Sequence, residues 1–329
     1  MKAEVSDKSF LEFLPVSLFG GVMGLCGLSF CWRLAEKSWG IHPYFSNAAG
    51  VLAVLCFLIL FVAYVIKIFR YPKLVIAEAN HPVQICFFAT FIVCLLLIPG
   101  ITLPYLPVFS KVIWSAGALM IFIFALHVLR KWLDNKQQPE SAMPIWILPV
   151  VGTLDVPVVG YHIGIPGVKE ICLMFFGIGV LFGIILIVVV ISRLFFQAPI
   201  PPELQATLLI LTGPFALAYT GYIEIQGNQD IASATMFYFN IFLFLLISGK
   251  IMLLPISCPF KVSWWSVSFP LTAITVTCFH YANFSHYYIH KLMAGGMILL
   301  TTTVIIYLLF QTFFKISTRT FVPLTPSKS

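Results

Sequence analysis

Residues 264–282 read WWSVSFPLTAITVTCFHYA, an apolar stretch long enough to cross a membrane, with Pro270 near its start. Proline removes a backbone donor and clashes with the preceding turn, so it kinks or breaks a helix. Outward from this stretch, the same combination recurs at every second apolar segment. Pro15, Pro99, Pro149 with Pro157, Pro214 and Pro270 fall in the first, third, fifth, seventh and ninth segments, and the even segments carry no internal proline. In a membrane, disrupted backbone is tolerated where it is buried in protein or lines a water-filled cavity. Five disrupted helices alternating with five intact ones therefore predict five hairpins, the disrupted members gathered around a central path.

Composition supports the same class. Hydrophobic residues make up 60% of the 329, charged residues 9%, and mean hydropathy is +1.01. So few charges cannot cover a soluble domain of this length. The expected fold is all-α and integral to the membrane, with ten transmembrane helices over 14–316. Tails of 1–13 and 317–329 flank it. The spans predicted are 14–34, 47–68, 83–101, 107–129, 145–161, 168–194, 204–225, 232–254, 263–281 and 290–314. The net charge of +7 does not indicate nucleic acid, because no basic patch is interleaved with stacking aromatics. Fourteen of the nineteen Lys and Arg residues lie on one side if both termini are cytoplasmic. That bias predicts a multi-pass plasma (inner) membrane protein with both ends inside.

Eight cysteines lack any CxxC spacing and read as small buried hydrophobes. His286 and His290 have an i, i+4 spacing without a carboxylate or cysteine partner, so no metal and no cofactor is expected. No HExxH or phosphate-binding loop points to an enzyme.

Several stretches carry a more specific signal. They are LPVSLFGGVMGLCGLSFCW from Leu14, EANHPVQ (Glu78–Gln84), PIWILPVVG (Pro144–Gly152), ELQATLLILTGPFALAY (Glu203–Tyr219) and the ninth segment. In order and spacing they resemble the tellurite-resistance/dicarboxylate transporter family, which includes bacterial tellurite-resistance proteins and plant guard-cell slow anion channels. The resemblance implies ten helices in five hairpins with quasi-fivefold arrangement around a pore. It also implies a homotrimer in the lipid bilayer, each protomer having its own pore for small inorganic or organic anions. It further implies that Phe269 closes that pore. The physical case stands beside this: an aromatic ring across a narrow pore excludes water and ions. Pro270 is expected to bias Phe269 away from helical geometry.

The remaining candidate residues line or kink the path: Pro15, Gly20, Gly24, Pro99, Pro149, Gly152, Thr153, Pro214, Phe215, Pro270 and Thr272. The glycines serve either a pore lining or close helix packing. Hydroxyls of Ser17, Thr153, Thr212, Ser268 and Thr272 are expected to donate to an anion. No Lys or Arg ring is expected inside the disrupted spans. Asp155, in the middle of the fifth, is open to three readings: a neutral or hydrogen-bonded structural group, a proton-coupling site, or a solvated group near the outer end. The function expected is a gated channel for small monovalent anions such as chloride and nitrate. The alternative is a proton-coupled carrier or exporter of C4-dicarboxylates, sulfite or tellurite-type oxyanions.

Overall fold

The computed structural model describes residues 10–285 and 287–318. Most of the expected tails, and His286 of the histidine pair, lie outside these residues. Ten apolar helical segments follow one another: α1 (Val16–Trp39), α2 (Tyr44–Arg70), α3 (Gln84–Thr102), α4 (Pro107–Asp134), α5 (Pro144–Gly160), α6 (Val168–Phe196), α7 (Pro202–Gln226), α8 (Ile231–Ser257), α9 (Val262–Phe284) and α10 (Tyr288–Ser317). Nine are long and apolar enough to span a membrane, whereas α5 is shorter. The protein is a multi-pass, all-α membrane protein.

Burial divides these segments into two sets. The most apolar windows of α1, α3, α7 and α9 are 72–89% buried, those of α2, α4, α6, α8 and α10 only 17–33%. Within α5 every residue except Leu148 and Val158 is buried. The second set is also the more hydrophobic, as a surface in contact with lipid requires. The buried set forms a closed circuit: α1 packs on α3, α3 on α5, α5 on α7, α7 on α9, and α9 on α1. Each of α2, α4, α6, α8 and α10 packs outside the segment that precedes it.

The helix disruption differs in form from the sequence expectation. Each member of the circuit begins as 3₁₀-helix: Val16–Leu18, Gln84–Phe87, Pro144–Ile147, Pro202–Thr212 and Val262–Val267. The α-helical portions then start at or after Phe19, Phe88, Leu148, Gly213 and Ser268. Eleven residues of 3₁₀-helix in α7 is long for a geometry that rarely exceeds four. The helix continues through Pro99, and Pro214 and Pro270 occupy the first turns of α-helical portions. Each of these two prolines thus sits where 3₁₀-helix passes into α-helix, and the change of hydrogen-bond pattern accommodates it without ending the helix. Phe269 is accordingly helical, and Pro270 does not hold it out of helical geometry.

Side-chain hydroxyls add a hydrogen bond to the carbonyl three residues back at the points where the helix type changes. Thr90 donates to Phe87 O (2.7 Å), Thr153 to Val150 O (2.6 Å), Thr212 to Leu209 O (2.7 Å) and Ser268 to Trp265 O (2.7 Å). In α1, which lacks such a residue, the Phe19 carbonyl accepts from Cys94 Sγ of α3 at 3.4 Å.

The EANHPVQ stretch ties these parts together. Glu78 pairs with the buried Lys67 of α2. His81 Nδ1 accepts the N–H groups of Val83 (3.2 Å) and Gln84 (3.3 Å), fixing the start of α3. Burial lowers the His81 pKa, consistent with a neutral ring acting as an acceptor. All eight cysteines are free, and seven are buried.

Candidate functional site

The circuit of buried segments encloses two cavities. The larger, about 300 Å³, is bounded by residues toward the C-terminal ends of all five segments. The smaller, about 40 Å³, is bounded by residues near their N-terminal, 3₁₀ ends. Phe269, Leu217 and Asp155 border both, so these three side chains form the partition between them. On the orientation expected from the sequence, the larger is the outer cavity and the smaller the inner one.

Several expected residues border these spaces. Gly20, Gly152, Pro214 and Pro270 line the inner cavity, and Thr272 the outer. Pro15, Gly24, Pro99, Pro149, Thr153 and Phe215 border neither. Phe215 instead packs edge-on against Phe239 of α8, with ring centroids 4.6 Å apart.

The glycines separate into two jobs. A Cβ on Gly20 would meet nothing within 4 Å, whereas one on Gly24 would collide with Ser268 and one on Gly27 with Thr272. Gly24 and Gly27 let α1 and α9 approach closely, the usual role of small residues between membrane helices. That seam also carries Cys31 Sγ donating to Thr272 O at 3.3 Å, and Ser268 Oγ approaches Gly20 O at 3.3 Å.

The hydroxyls require a correction. Thr272 donates to Phe269 O at 2.8 Å, and Thr153, Thr212 and Ser268 donate to backbone as described above. A hydroxyl has one proton, so these four groups have none left for an anion. Their remaining lone pairs would repel one. The partition is therefore apolar except for Asp155.

Asp155 is 1% exposed, and its Oδ1 has no hydrogen-bond partner. Burial removes the reading in which it is solvated at the outer end. A carboxylate held there without a cation carries a large desolvation penalty, which protonation relieves.

The outer cavity holds charge that the sequence reading had not gathered. Arg33 of α1, His162 just after α5, Glu224 of α7 and His280 of α9 all border it. Arg33 Nη1 donates to Gly100 O at 2.8 Å, and its guanidinium lies 5.7 Å from the Phe30 ring centre. His162 Nε2 and Glu224 Oε2 are 2.6 Å apart. That hydrogen bond raises the His162 pKa above its ordinary value. Thus the first disrupted span presents one cation, Arg33, at the mouth of the path, although its interior carries no Lys or Arg ring. Single residues from four segments meet here, a tertiary coincidence with no local motif.

Two cavities in line, walled by one helix set and shielded from lipid by another, define a membrane channel or transporter. The comparisons agree on the class. The profile described as "Voltage-dependent anion channel" matches residues 14–313, and the chain belongs to that family. It is 25% identical over 312 residues to the S-type anion channel SLAH3 of Arabidopsis thaliana, covering 92% of this chain and 48% of the relative. It is 24% identical over 278 residues to the tellurite resistance protein TehA homolog of Haemophilus influenzae, covering 82% of each. A transporter of Methanocaldococcus jannaschii described only as uncharacterized matches at 26% over 285 residues, 80% of this chain and 83% of that one. The chain spans about half the length of SLAH3 and of two other plant relatives, SLAH2 and SLAC1. These relatives are channels and transporters rather than enzymes. Among the described residues no group of three or more His, Cys, Asp or Glu is placed to hold a metal ion.

Proposed function

We propose that the protein is a gated anion pore, closed by the Phe269 ring. The ten segments act as five hairpins in quasi-fivefold arrangement, with both termini cytoplasmic and one pore in each protomer of a homotrimer. The observation that carries the reading is that Phe269 belongs to the walls of both cavities. Small monovalent anions such as chloride and nitrate are the substrate class.

Electrostatics supports passage of anions without tight binding. The inner cavity lies at the N-terminal ends of the five circuit segments, where backbone N–H groups carry partial positive charge. The outer cavity lies at their C-terminal ends, where the helix dipoles oppose anions; there Arg33 supplies compensating charge and protonated His162 neutralises Glu224. At the partition no cation is fixed. An anion is thus attracted on each side and held nowhere strongly, the condition for conduction.

Planar-bilayer currents from purified wild-type and Phe269→Ala protein test the gate, with chloride, nitrate and malate compared by reversal potential. Wild-type protein is expected to be nearly silent. The variant should conduct anions at least tenfold better, a scale of about 1.4 kcal/mol of barrier. A folded variant that stays silent would overturn the proposal.

One observation favours a second reading. Asp155 is a buried carboxyl that touches both cavities, as a proton-coupling site in a carrier of dicarboxylates or oxyanions would. If that reading holds, Asp155→Asn abolishes pH-driven malate uptake into liposomes. Uptake with unchanged pH dependence would exclude it.

A further inference from the structure

Away from the cavities of the path, three strongly charged side chains are buried among the described residues: Glu36, Lys67 and Arg193. Two are fully accommodated by the protein. Glu36 Oε1 accepts the N–H groups of Phe45 (2.7 Å) and Ser46 (3.1 Å) at the start of α2, and its other oxygen meets the Ser46 hydroxyl. Lys67 pairs with Glu78 and donates to Leu14 O at 2.7 Å.

Arg193 is different. It lies in the last turn of α6 and is 6% exposed. Its one hydrogen bond runs from Nε to Glu140 O at 3.4 Å, near the limit for such a bond. Nη1 is buried with no partner, and no carboxylate pairs with Arg193 among the described residues. A buried cation without a counter-ion is strongly unfavourable, and the usual remedy is an anion supplied to it.

The surroundings indicate which anion. Arg193 borders a cavity of about 330 Å³, walled by Val188, Val189, Ser192 and Phe196 of α6, by Gln197 just after it, and by Pro139 and Ala142 of the turn between α4 and α5. Val188, Val189 and Phe196 are 61%, 42% and 79% exposed. They belong to the poorly buried helix set, which faces lipid. The cavity therefore opens sideways into the bilayer at the level of a helix end, not into the path between the two central cavities. By the alternation of spans, this is also the end of the molecule that carries Arg130, Lys131 and Lys136. A planar guanidinium with an unused N–H matches phosphate geometry, and the apolar wall beside it matches an acyl chain.

We propose that Arg193 holds the phosphate of an anionic membrane phospholipid in the cavity beside the last turn of α6. The phosphate supplies the missing acceptor, Ser192 stands beside it, and the lipid chain lies over Val188 and Val189. The site is independent of the gate.

Native mass spectrometry of the purified full chain tests this, with phosphatidylglycerol, phosphatidylcholine and inorganic phosphate titrated separately. Wild-type protein should retain phosphatidylglycerol in preference to phosphatidylcholine. Arg193→Gln should weaken that retention about tenfold, as loss of a charge-assisted hydrogen bond does. Val189→Trp, which fills the lipid side while keeping the guanidinium, should weaken it comparably without lowering the Tm of lipid-free protein. It also keeps the test open if Arg193→Gln fails to fold. Unchanged retention in Val189→Trp, or in folded Arg193→Gln, overturns the proposal. Binding of inorganic phosphate that depends on Arg193 without lipid preference would instead assign a soluble anion and overturn the lipid. Altered subunit number with unchanged lipid retention would assign the cavity to a second copy of the chain, with the same consequence.

Discussion

The two central cavities share three residues and otherwise differ in nearly every respect. The outer one encloses about 300 Å³ and presents Arg33, His162, Glu224 and His280. The inner one encloses about 40 Å³ and is walled by small, apolar and proline residues with few polar groups. One side of Phe269 is built to meet charge and the other to stay narrow. The difference separates two tasks in the proposed pore: charge selection on the outer side, closure by packing at the partition and inward of it. Charge on the closing side would hydrate it, and a hydrophobic constriction works by dewetting.

Removing the fixed cation should erode this contrast most. Arg33→Gln is expected to cut anion current through an opened Phe269→Ala background several-fold at low ionic strength. The effect should shrink as salt rises and the Debye length falls below about 10 Å. Equal reduction at all salt concentrations would place Arg33 in the packing of α1 rather than in recruitment of anions.

A smaller effect should follow from pH on the Arg33 side. Glu224 raises the His162 pKa, so the protonated imidazole is favoured below its ordinary value near 6.5 and persists somewhat above it. As pH rises through the raised value, His162 loses its charge and Glu224 is left as an uncompensated anion. Current should therefore fall modestly on the alkaline side of about 6.5, damped because His162 is well exposed. Glu224→Gln should move that transition to lower pH. A transition that stays in place in Glu224→Gln would assign the titration to another group, His280 being the nearest alternative on the same wall.

The circuit of buried segments was legible because an internal proline recurs at every second predicted segment, and a proline inside an apolar stretch reports on packing rather than on lipid contact. Phe269, which the family resemblance singled out, borders both cavities. The mode of disruption was not legible. Whether a carbonyl bonds three or four residues on is invisible in an all-apolar stretch, and only Thr90, Thr153, Thr212 and Ser268 mark the switch points after the fact. The same hydroxyls misled the sequence reading, because a threonine in a pore-lining helix looks like a donor until its acceptor is known. Arg33, His162 and His280 lie in or just after three separate segments, with no sequence motif to join them. Their convergence depends on the circuit closing α9 onto α1, which no local pattern encodes. Pro270 likewise changes meaning with position, since a proline at the passage from 3₁₀- to α-helix is accommodated where an interior one would bend the helix.

The most direct test of the partition uses Gly20, which borders the inner cavity and has free space around a Cβ. A membrane-impermeant thiol reagent is applied from the Arg33 side to Gly20→Cys protein in liposomes, with Phe269 intact and with Phe269→Ala. If Phe269 separates the cavities, Cys at position 20 reacts rapidly only in the Phe269→Ala background. Equal modification rates in both backgrounds would contradict that account, because the ring would then obstruct nothing between the two sides.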